Sequence, residues 1–270
     1  MTGREGRFVE ARARRVRELA SVAGRRSAEV ERQVELVVRR LRLAWPYDLE
    51  YIAKTLGIAD ITRKPLGING RLVDTPAGQA IEIDDALPAD VARFVLAHEL
   101  GHVVLGDARP VSALHGRAAD DRTYRDLERL CDEFAAQLLM PTRFVREEFS
   151  AQALSLAHAA EVACEHCIDV RLVVARLIDT GIWNARAISW TLALRDPPVV
   201  EATWTFPTST GTPEAWRLKG LTYELASEIA RGSCVEFSAE IEFAVDEWYA
   251  FEPQALLRAS NEMLMVLPLT

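Results

Sequence analysis

Hydrophobic residues recur at the spacing of an α-helix through most of the first 180 positions of the chain. Apolar residues three or four positions apart share one helical face, so each such run predicts an amphipathic helix. The runs predict two N-terminal helices within 1–44, a short helix at 48–58, two long helices at 90–105 and 123–140, and further helix over 143–180. The two long helices stop at Gly106 and Pro141, residue types that commonly follow a helix.

The hydrophobic period changes in two other parts of the chain. Residues 61–84 are rich in Gly, Pro and Thr and hold two short strand candidates, the second being Gln79–Ile83. Beyond Trp183, strands are predicted at 188–195, 199–206 and 234–246, with one helix near 221–231. The segment 234–246 alternates strictly between apolar and polar residues, which predicts a single half-buried strand.

These elements predict an α+β fold in four parts. A mostly helical core with a small sheet is followed by a helix-turn-helix-like segment and then by a small α+β domain. The predicted boundaries are 1–44 for the N-terminal helices, 45–145 for the core, 146–187 for the helix-turn-helix-like segment and 188–270 for the C-terminal domain.

Composition indicates a globular protein with an ordinary core. The chain has 270 residues, of which 49% are hydrophobic and 27% are charged. Its four cysteines form no regular framework, and the charged N-terminus has no apolar signal region. No run approaches the roughly 18 apolar residues of a membrane span. We therefore expect a cytoplasmic location and no membrane partner; the oligomeric state stays open.

The first 43 residues are basic although the net charge of the chain is −8. They hold about twelve arginines against six acidic residues. Such a segment could meet nucleic acid or an acidic partner. Because glutamates are interleaved with the arginines, two amphipathic helices with solvated faces are the simpler interpretation.

The predicted helix at 90–105 contains the sequence HELGH, His98 to His102. Residues four positions apart lie on one helical face, so both imidazoles can reach a single zinc ion. Glu99 projects from the same turn, where it can act as the general base that takes a proton from water. The motif therefore predicts a hydrolytic Zn²⁺ site.

A catalytic zinc normally has three protein ligands and one open position. The next long helix offers Glu128 and Asp132, which are also four residues apart and face the same way. Glu128 could coordinate the metal, while Asp132 could accept a hydrogen bond from the outer nitrogen of a ligating histidine. A lone carboxylate on a helix surface is the alternative for each.

Several distinctive stretches surround these residues within about 45–180: PYDLE (46–50) with Ile52-Ala53, IEI (81–83), RFVLAHELGH (93–102), ERLC (128–131) and FAAQLLMP (134–141). Together they resemble the ImmA/IrrE metallopeptidases. The resemblance implies a zincin-like core with His98, His102 and Glu128 as zinc ligands and Glu99 as the catalytic base. It also implies site-specific cleavage of a helix-turn-helix transcriptional repressor in a stress-response or mobile-element switch. Longer members carry a sensor-like C-terminal domain, for which the tail of this chain is a candidate.

Two other functions stay open. The chain could be a DNA-associated regulator without hydrolysis, or a toxin-like peptidase that acts on other proteins. Residues 159–178 resemble a helix-turn-helix, but the second helix offers mainly Arg171 among apolar residues, so packing is favoured over direct DNA binding. Asp169 is predicted to cap that helix.

Three weaker candidates complete the prediction. Cys164 and Cys167 form a single C-x-x-C pair, which is a weak metal or redox signal, and we interpret them as semi-buried structural residues. His115 and Tyr124 lie between the ligand helices, where either could stabilise an oxyanion. For both, an exposed polar residue is the simpler interpretation.

Overall fold

The structure, a computed structural model, describes residues 23–105, 122–150, 154–206, 217–242, 248–258 and 262–269. Contacts divide the chain into two compact units, Met1–Pro141 and Thr142–Thr270. Both units combine helices with sheet, so the predicted α+β class is confirmed. The first of the two N-terminal helices lies almost entirely outside the described residues, and the division into four parts stays a prediction. No described helix is long and apolar enough to cross a membrane.

The described elements of the first unit alternate helices with one small sheet. They are α1 (Ala23–Leu41), α2 (Leu49–Thr55), β1 (Asp60–Lys64), β2 (Gly70–Thr75), β3 (Gly78–Asp84), α3 (Ala89–Leu105) and α4 (Arg122–Leu139). α2 begins where Asp48 accepts a hydrogen bond from the Tyr51 amide at 3.0 Å. It ends before Gly57, whose φ of +91° suits glycine.

The sheet of the first unit has the strand order β1-β3-β2, with β1 parallel and β2 antiparallel to β3. Leu72 of β2 pairs with Ile81 of β3, and both are buried on the face that meets α3. On the opposite face, Glu82 bonds Lys64 at 2.5 Å and Arg71 at 2.8 Å. The sequence predicted two strands here, and the structure has three. The hydrophobic pattern gave a weak signal in this region because β1 and β2 are short and largely polar.

The two long helices α3 and α4 pack against each other and form the centre of the first unit. α3 runs one residue earlier than predicted at its start, and α4 matches its prediction within one residue at each end. α1 packs on α4 through the buried residues Val30 and Val34. The indole of Trp45 donates a hydrogen bond to the Leu139 carbonyl at 3.0 Å, which satisfies one free carbonyl at the end of α4.

The described elements of the second unit are four helices followed and interleaved by two sheets. They are α5 (Thr142–Phe149), α6 (Leu156–His166), α7 (Val170–Asp179), β4 (Ala185–Ala193), β5 (Val199–Phe206), β6 (Arg217–Lys219), α8 (Tyr223–Ala230), β7 (Val235–Glu236), β8 (Ala239–Glu242), β9 (Trp248–Phe251), β10 (Gln254–Arg258) and β11 (Glu262–Pro268). The larger sheet has the order β5-β4-β11-β10-β7 and the smaller one β6-β8-β9. All pairs in both sheets are antiparallel.

The central strands β4 and β11 are covered on both faces, which explains why both read as apolar. On one face, Trp190 and Met265 belong to a core that includes residues of α8 and of the smaller sheet. α6 and α7 pack on the larger sheet, and Val173, Val174 and Leu177 of α7 are fully buried. The two helices of the helix-turn-helix-like segment therefore serve as a layer of this unit.

The prediction of one strand over 234–246 is wrong. The chain forms β7, which pairs with β10 in the larger sheet, and then β8, which pairs with β6 and β9 in the smaller one. Phe237 lies between the two strands and its amide bonds the Pro253 carbonyl at 3.3 Å. Phe237, Ala239 and Ile241 still face one shared core, so the alternation of apolar residues survives the change of sheet.

Candidate metal centre

His98 and His102 stand one turn apart on the face of α3 that meets α4. Their Nε2 atoms lie 3.1 Å from each other. Both side chains are largely buried, and the rings meet edge to face with centroids 4.9 Å apart. The helical spacing thus brings two imidazole nitrogens to one point, as the sequence predicts.

Glu128 of α4 completes a group of three ligand atoms with the two histidines. Its Oε2 lies 3.3 Å from Nε2 of His98, and its Oε1 lies 3.4 Å from Nε2 of His102. The carboxylate therefore faces the pair of imidazoles and spans both of them.

The distances among these atoms fit a tetrahedral zinc ion. Zinc bonds of about 2.0–2.1 Å at tetrahedral angles separate neighbouring ligand atoms by about 3.4 Å. Here the two imidazole nitrogens lie 3.1 Å apart, and each lies 3.3 or 3.4 Å from a different oxygen of the Glu128 carboxylate. Two imidazoles and a carboxylate are also a donor set that zinc accepts in hydrolytic sites. The residues present fit the metal.

Asp132 holds the outer nitrogen of His98. Its Oδ1 lies 2.8 Å from Nδ1 of the ring. Burial lowers the pKa of His98, but hydrogen bonds to Asp132 and Glu128 outweigh burial and raise the pKa to about 10. The carboxylates thus make a pocket that favours positive charge. A proton on Nδ1 directed at Asp132 leaves Nε2 to bind a cation.

Glu99 is buried beside the three ligands, with 5% of its surface exposed. Burial raises the pKa of its carboxyl to about 7; the His98 charge opposes this, the Glu128 charge adds to it, and a backbone hydrogen bond from Leu72 lowers it. Its Oε2 has no hydrogen-bond partner among the described residues. The edge strand β2 therefore holds one side of the carboxylate and leaves the other to act on a ligand.

The structure brings five predicted residues together: His98, Glu99, His102, Glu128 and Asp132. His115 and the side chain of Tyr124 lie outside the described residues. The predictions for these two residues are unchanged.

Sequence reasoning missed the backbone that surrounds the site. A Cβ built on Gly70 of β2 would lie 2.4 Å from Cγ1 of Val95 and 3.5 Å from Oε1 of Glu99. A Cβ on Gly101 would lie 3.1 Å from the Cα of Cys131. Glycine thus permits a close approach of β2 to α3 and of α4 to α3. A glycine inside a helical pattern, as at 101, was the one available signal.

The other candidates of the sequence lie in the second unit. Cys164 and Cys167 are exposed, so their interpretation as semi-buried residues is wrong. Their neighbours Ala163 and Ile168 fill the buried positions of this turn instead. Cys167 caps α6 in a left-handed conformation, with φ +51°.

Arg171, the main donor of the helix-turn-helix-like segment, is engaged within its own unit. Its guanidinium bonds Asp169 at 2.9 Å and Glu262 of β11 at 3.2 Å. Asp169 also caps α7 by accepting from the Arg171 amide at 2.8 Å, as predicted. These bonds fasten the second helix to the sheet.

Comparison with known proteins agrees with the geometry of the first unit. Residues 53–166 match the peptidase family described as the IrrE N-terminal-like domain. The radiation response metalloprotease IrrE of Deinococcus radiodurans is 34% identical over 108 residues, which are 38% of this chain and 33% of that protein. The protein of the same name from Deinococcus deserti is 36% identical over 86 residues, or 32% and 30% of the two chains. The chain thus spans about a third of the length of these curated relatives.

Among solved structures, a transcriptional regulator of Mycobacterium tuberculosis superposes with a TM-score of 0.53 over 94% of this chain and 81% of its own. At 10% identity that likeness shows the fold alone. The family match is the more specific finding, because it covers the HELGH helix and the helix that carries Glu128. Residues 53–166 are therefore similar to the IrrE N-terminal-like peptidase domain, and the segment that holds the three candidate ligands lies within this match.

Proposed function

We propose that the chain is a zinc-dependent endopeptidase whose metal ligands are His98, His102 and Glu128. One observation carries the proposal: two imidazoles and a carboxylate converge at zinc-ligand spacing beside a buried carboxylate, Glu99, that has an unbonded oxygen. A purely structural zinc site has four protein ligands and needs no such neighbour. The family match at this segment supports the same function.

In the proposed mechanism each residue of the site has a separate role in peptide hydrolysis. A zinc ion bound at these ligands supplies a Lewis acid that polarises a carbonyl and makes water more acidic. Glu99 takes the proton of the attacking water on Oε2 and then delivers it to the leaving amine. Burial raises the pKa of the Glu99 carboxyl above its ordinary value, which favours acceptance of a proton. Asp132 keeps His98 oriented through the 2.8 Å contact at Nδ1.

The position of β2 supports cleavage within a chain rather than at its end. β2 is an edge strand, and its Leu72 amide bonds Glu99. Within the described residues, no strand pairs with the outer edge of β2. An extended substrate segment could add to that edge by backbone hydrogen bonds and pass the catalytic carboxylate.

The proposed substrate is a helix-turn-helix transcriptional repressor, and the proposed setting is a stress-response or mobile-element switch in the cytoplasm. Two relatives are named radiation response metalloproteases, which supports a stress role. The DNA-associated alternative has less support, because Arg171 bonds Asp169 and Glu262 within its own unit. A toxin-like peptidase acting on other proteins remains the competing proposal.

The decisive experiment first asks whether an adjacent open reading frame encodes a helix-turn-helix protein. It then incubates the purified full chain and zinc with that protein and maps the fragments by mass spectrometry. We expect one cleavage by the wild type and none by Glu99→Gln, which should keep zinc. His98→Ala should lose both zinc and cleavage. Glu50→Gln, the same chemical change at an exposed position of α2, is the matched control and should cut normally.

Two results would contradict the proposal. Cleavage by Glu99→Gln at the wild-type rate would remove Glu99 as the base. Zinc-dependent cleavage of unrelated proteins, with the neighbouring repressor left intact, would favour the toxin-like peptidase.

A further inference from the structure

The two ligand-bearing helices touch at their backbones directly beside the metal centre. A Cβ built on Gly101 of α3 would lie 3.1 Å from Cα, 3.3 Å from Cβ and 3.3 Å from the carbonyl oxygen of Cys131 on α4. Cys131 is completely buried. Two of the three contacts are with backbone atoms, which cannot turn away as a side-chain tip can.

On each helix, the residue at this crossing is close in sequence to the candidate metal ligands. Gly101 directly precedes His102, and Cys131 lies between Glu128 and Asp132. The bonds from α4 to the histidines therefore span the same gap that the crossing sets, at 2.8 to 3.4 Å. In a well-formed metal site the metal–ligand distances lie within about 0.2 Å of their ideal values. A small change in helix separation is thus felt at the metal.

We propose that Gly101 is a positioning residue that fixes the separation of α3 and α4 and thereby the zinc affinity of the site. The inference rests on the proposed zinc site and adds the feature that sets its dimensions. Glycine is the poorest helix former after proline, so a glycine within α3 weakens the helix itself. Gly101 compensates for this cost by allowing the backbones of α3 and α4 to approach each other closely.

Alanine at this position separates the two effects. Gly101→Ala improves the helix propensity of α3 but places a methyl group against the backbone of Cys131. α4 must then move outward by a few tenths of an ångström, which carries Glu128 and Asp132 away from His98 and His102. We expect zinc affinity to fall about 10-fold or more, as for other changes that misplace ligands. The helix content of the metal-free protein should not fall.

The test is a competition titration of the full chain with zinc and a chromophoric chelator, repeated with Co²⁺ to read the coordination from its d–d absorption. Circular dichroism of each metal-free variant checks folding. Cys131→Ala is the matched control on the other helix: it keeps the backbone and Cβ but loses the thiol, and should bind zinc as the wild type does. His98→Ala should not bind zinc.

A double variant guards against misfolding of Gly101→Ala. Adding Cys131→Gly removes one of the three contacts, so Gly101→Ala with Cys131→Gly should recover part of the lost affinity relative to Cys131→Gly alone. If Gly101→Ala binds zinc and cobalt like the wild type, Gly101 does not set the site. The proposal also fails if Gly101→Ala unfolds while the folded double variant binds zinc as tightly as Cys131→Gly does. If the wild type itself does not bind zinc, the proposed function fails first, and the two failures are distinguished.

Discussion

The two units of the molecule bury charge in different ways. Among the described residues, the buried acidic, basic and imidazole side chains are Glu99 and His102 in the first unit and Asp169 and Arg176 in the second. In the first unit His102 belongs to the group of three ligand atoms, and Glu99 lies beside that group with an Oε2 atom that has no hydrogen-bond partner among the described residues. In the second unit Arg176 bonds Asp179 at 2.6 Å and Thr142 at 3.0 Å, and Asp169 bonds Arg171.

The difference separates charge that serves structure from charge that serves chemistry. A buried charge that is fully bonded stabilises one arrangement of its neighbours, and removing it costs stability. A buried carboxylate left with an unbonded oxygen raises the free energy of the fold and remains only where something else requires it. Substitutions at the metal centre of the first unit should therefore change metal binding, and substitutions of the buried charges in the second unit should change folding.

The largest expected effect is that of Glu128→Gln in the first unit. The amide keeps the shape of the side chain but removes the negative charge that faces both imidazoles. We expect zinc affinity to fall by about 100-fold or more, measured by chelator competition, with little change in the urea midpoint of the metal-free protein. Glu147→Gln, at an exposed glutamate of α5, is the control and should leave zinc affinity unchanged. A large loss of apo stability in Glu128→Gln would break the comparison.

Arg176→Ala in the second unit should give the opposite result. The side chain of Arg176 is 4% exposed, while that of its partner Asp179 is 49% exposed and can regain water. We therefore expect a loss of about 2 to 3 kcal/mol in the free energy of unfolding, below the range for a fully buried pair. Urea unfolding measures it, and zinc affinity should stay the same. Arg146→Ala, at an exposed arginine of α5, should cost less than about 0.5 kcal/mol. Equal losses in the two variants would mean that burial of Arg176 contributes nothing.

The sequence predicted the metal centre better than the parts that support it. His98, Glu99 and His102 follow from helical spacing alone, because four residues make about one turn. Glu128 and Asp132 required a partner helix, and their own four-residue spacing together with the family resemblance indicated it. The contribution of Leu72 could not be predicted, because a backbone amide has no residue-type signal.

The pattern of the second unit was misread for a related reason. Alternation over 234–246 shows which residues face a core but does not show which strand each segment pairs with. The alternation of apolar and polar residues therefore continues unchanged where the chain passes from the larger sheet (β7) to the smaller one (β8). Pairing partners are tertiary information, as is the exposure of Cys164 and Cys167.

Gly70 tests how closely the first unit is built around Glu99. A Cβ at this position would meet Cγ1 of Val95 at 2.4 Å, so Gly70→Ala should cost about 1 to 2 kcal/mol of stability through overpacking. Val95→Ala deletes the obstructing atom. The loss of stability in the double variant should therefore be smaller than the sum of the losses in the two single variants. A double-mutant cycle in urea measures this difference. Additive losses would place the strain of Gly70→Ala elsewhere than at Val95.

The smallest expected effect is that of Glu82→Gln. This substitution tests whether a bonded charge in the first unit also contributes to stability. The side-chain bond to Lys64 holds the pKa of Glu82 below its ordinary value, burial opposes this, and Arg71 lowers the pKa further. Because the folded-state pKa is depressed, the stabilisation is complete above the unfolded pKa of about 4.5 and is lost as the pH falls through the folded value. Both partners are partly exposed, so Glu82→Gln should cost no more than about 1 kcal/mol at pH 7. The difference in unfolding free energy between wild type and variant should shrink as the pH is lowered below about 4.5, whereas zinc affinity at pH 7 should be equal. A difference that grows on acidification would mean that Glu82 is more easily protonated in the folded state than in the unfolded one, which would contradict its role as the bonded acid between Lys64 and Arg71.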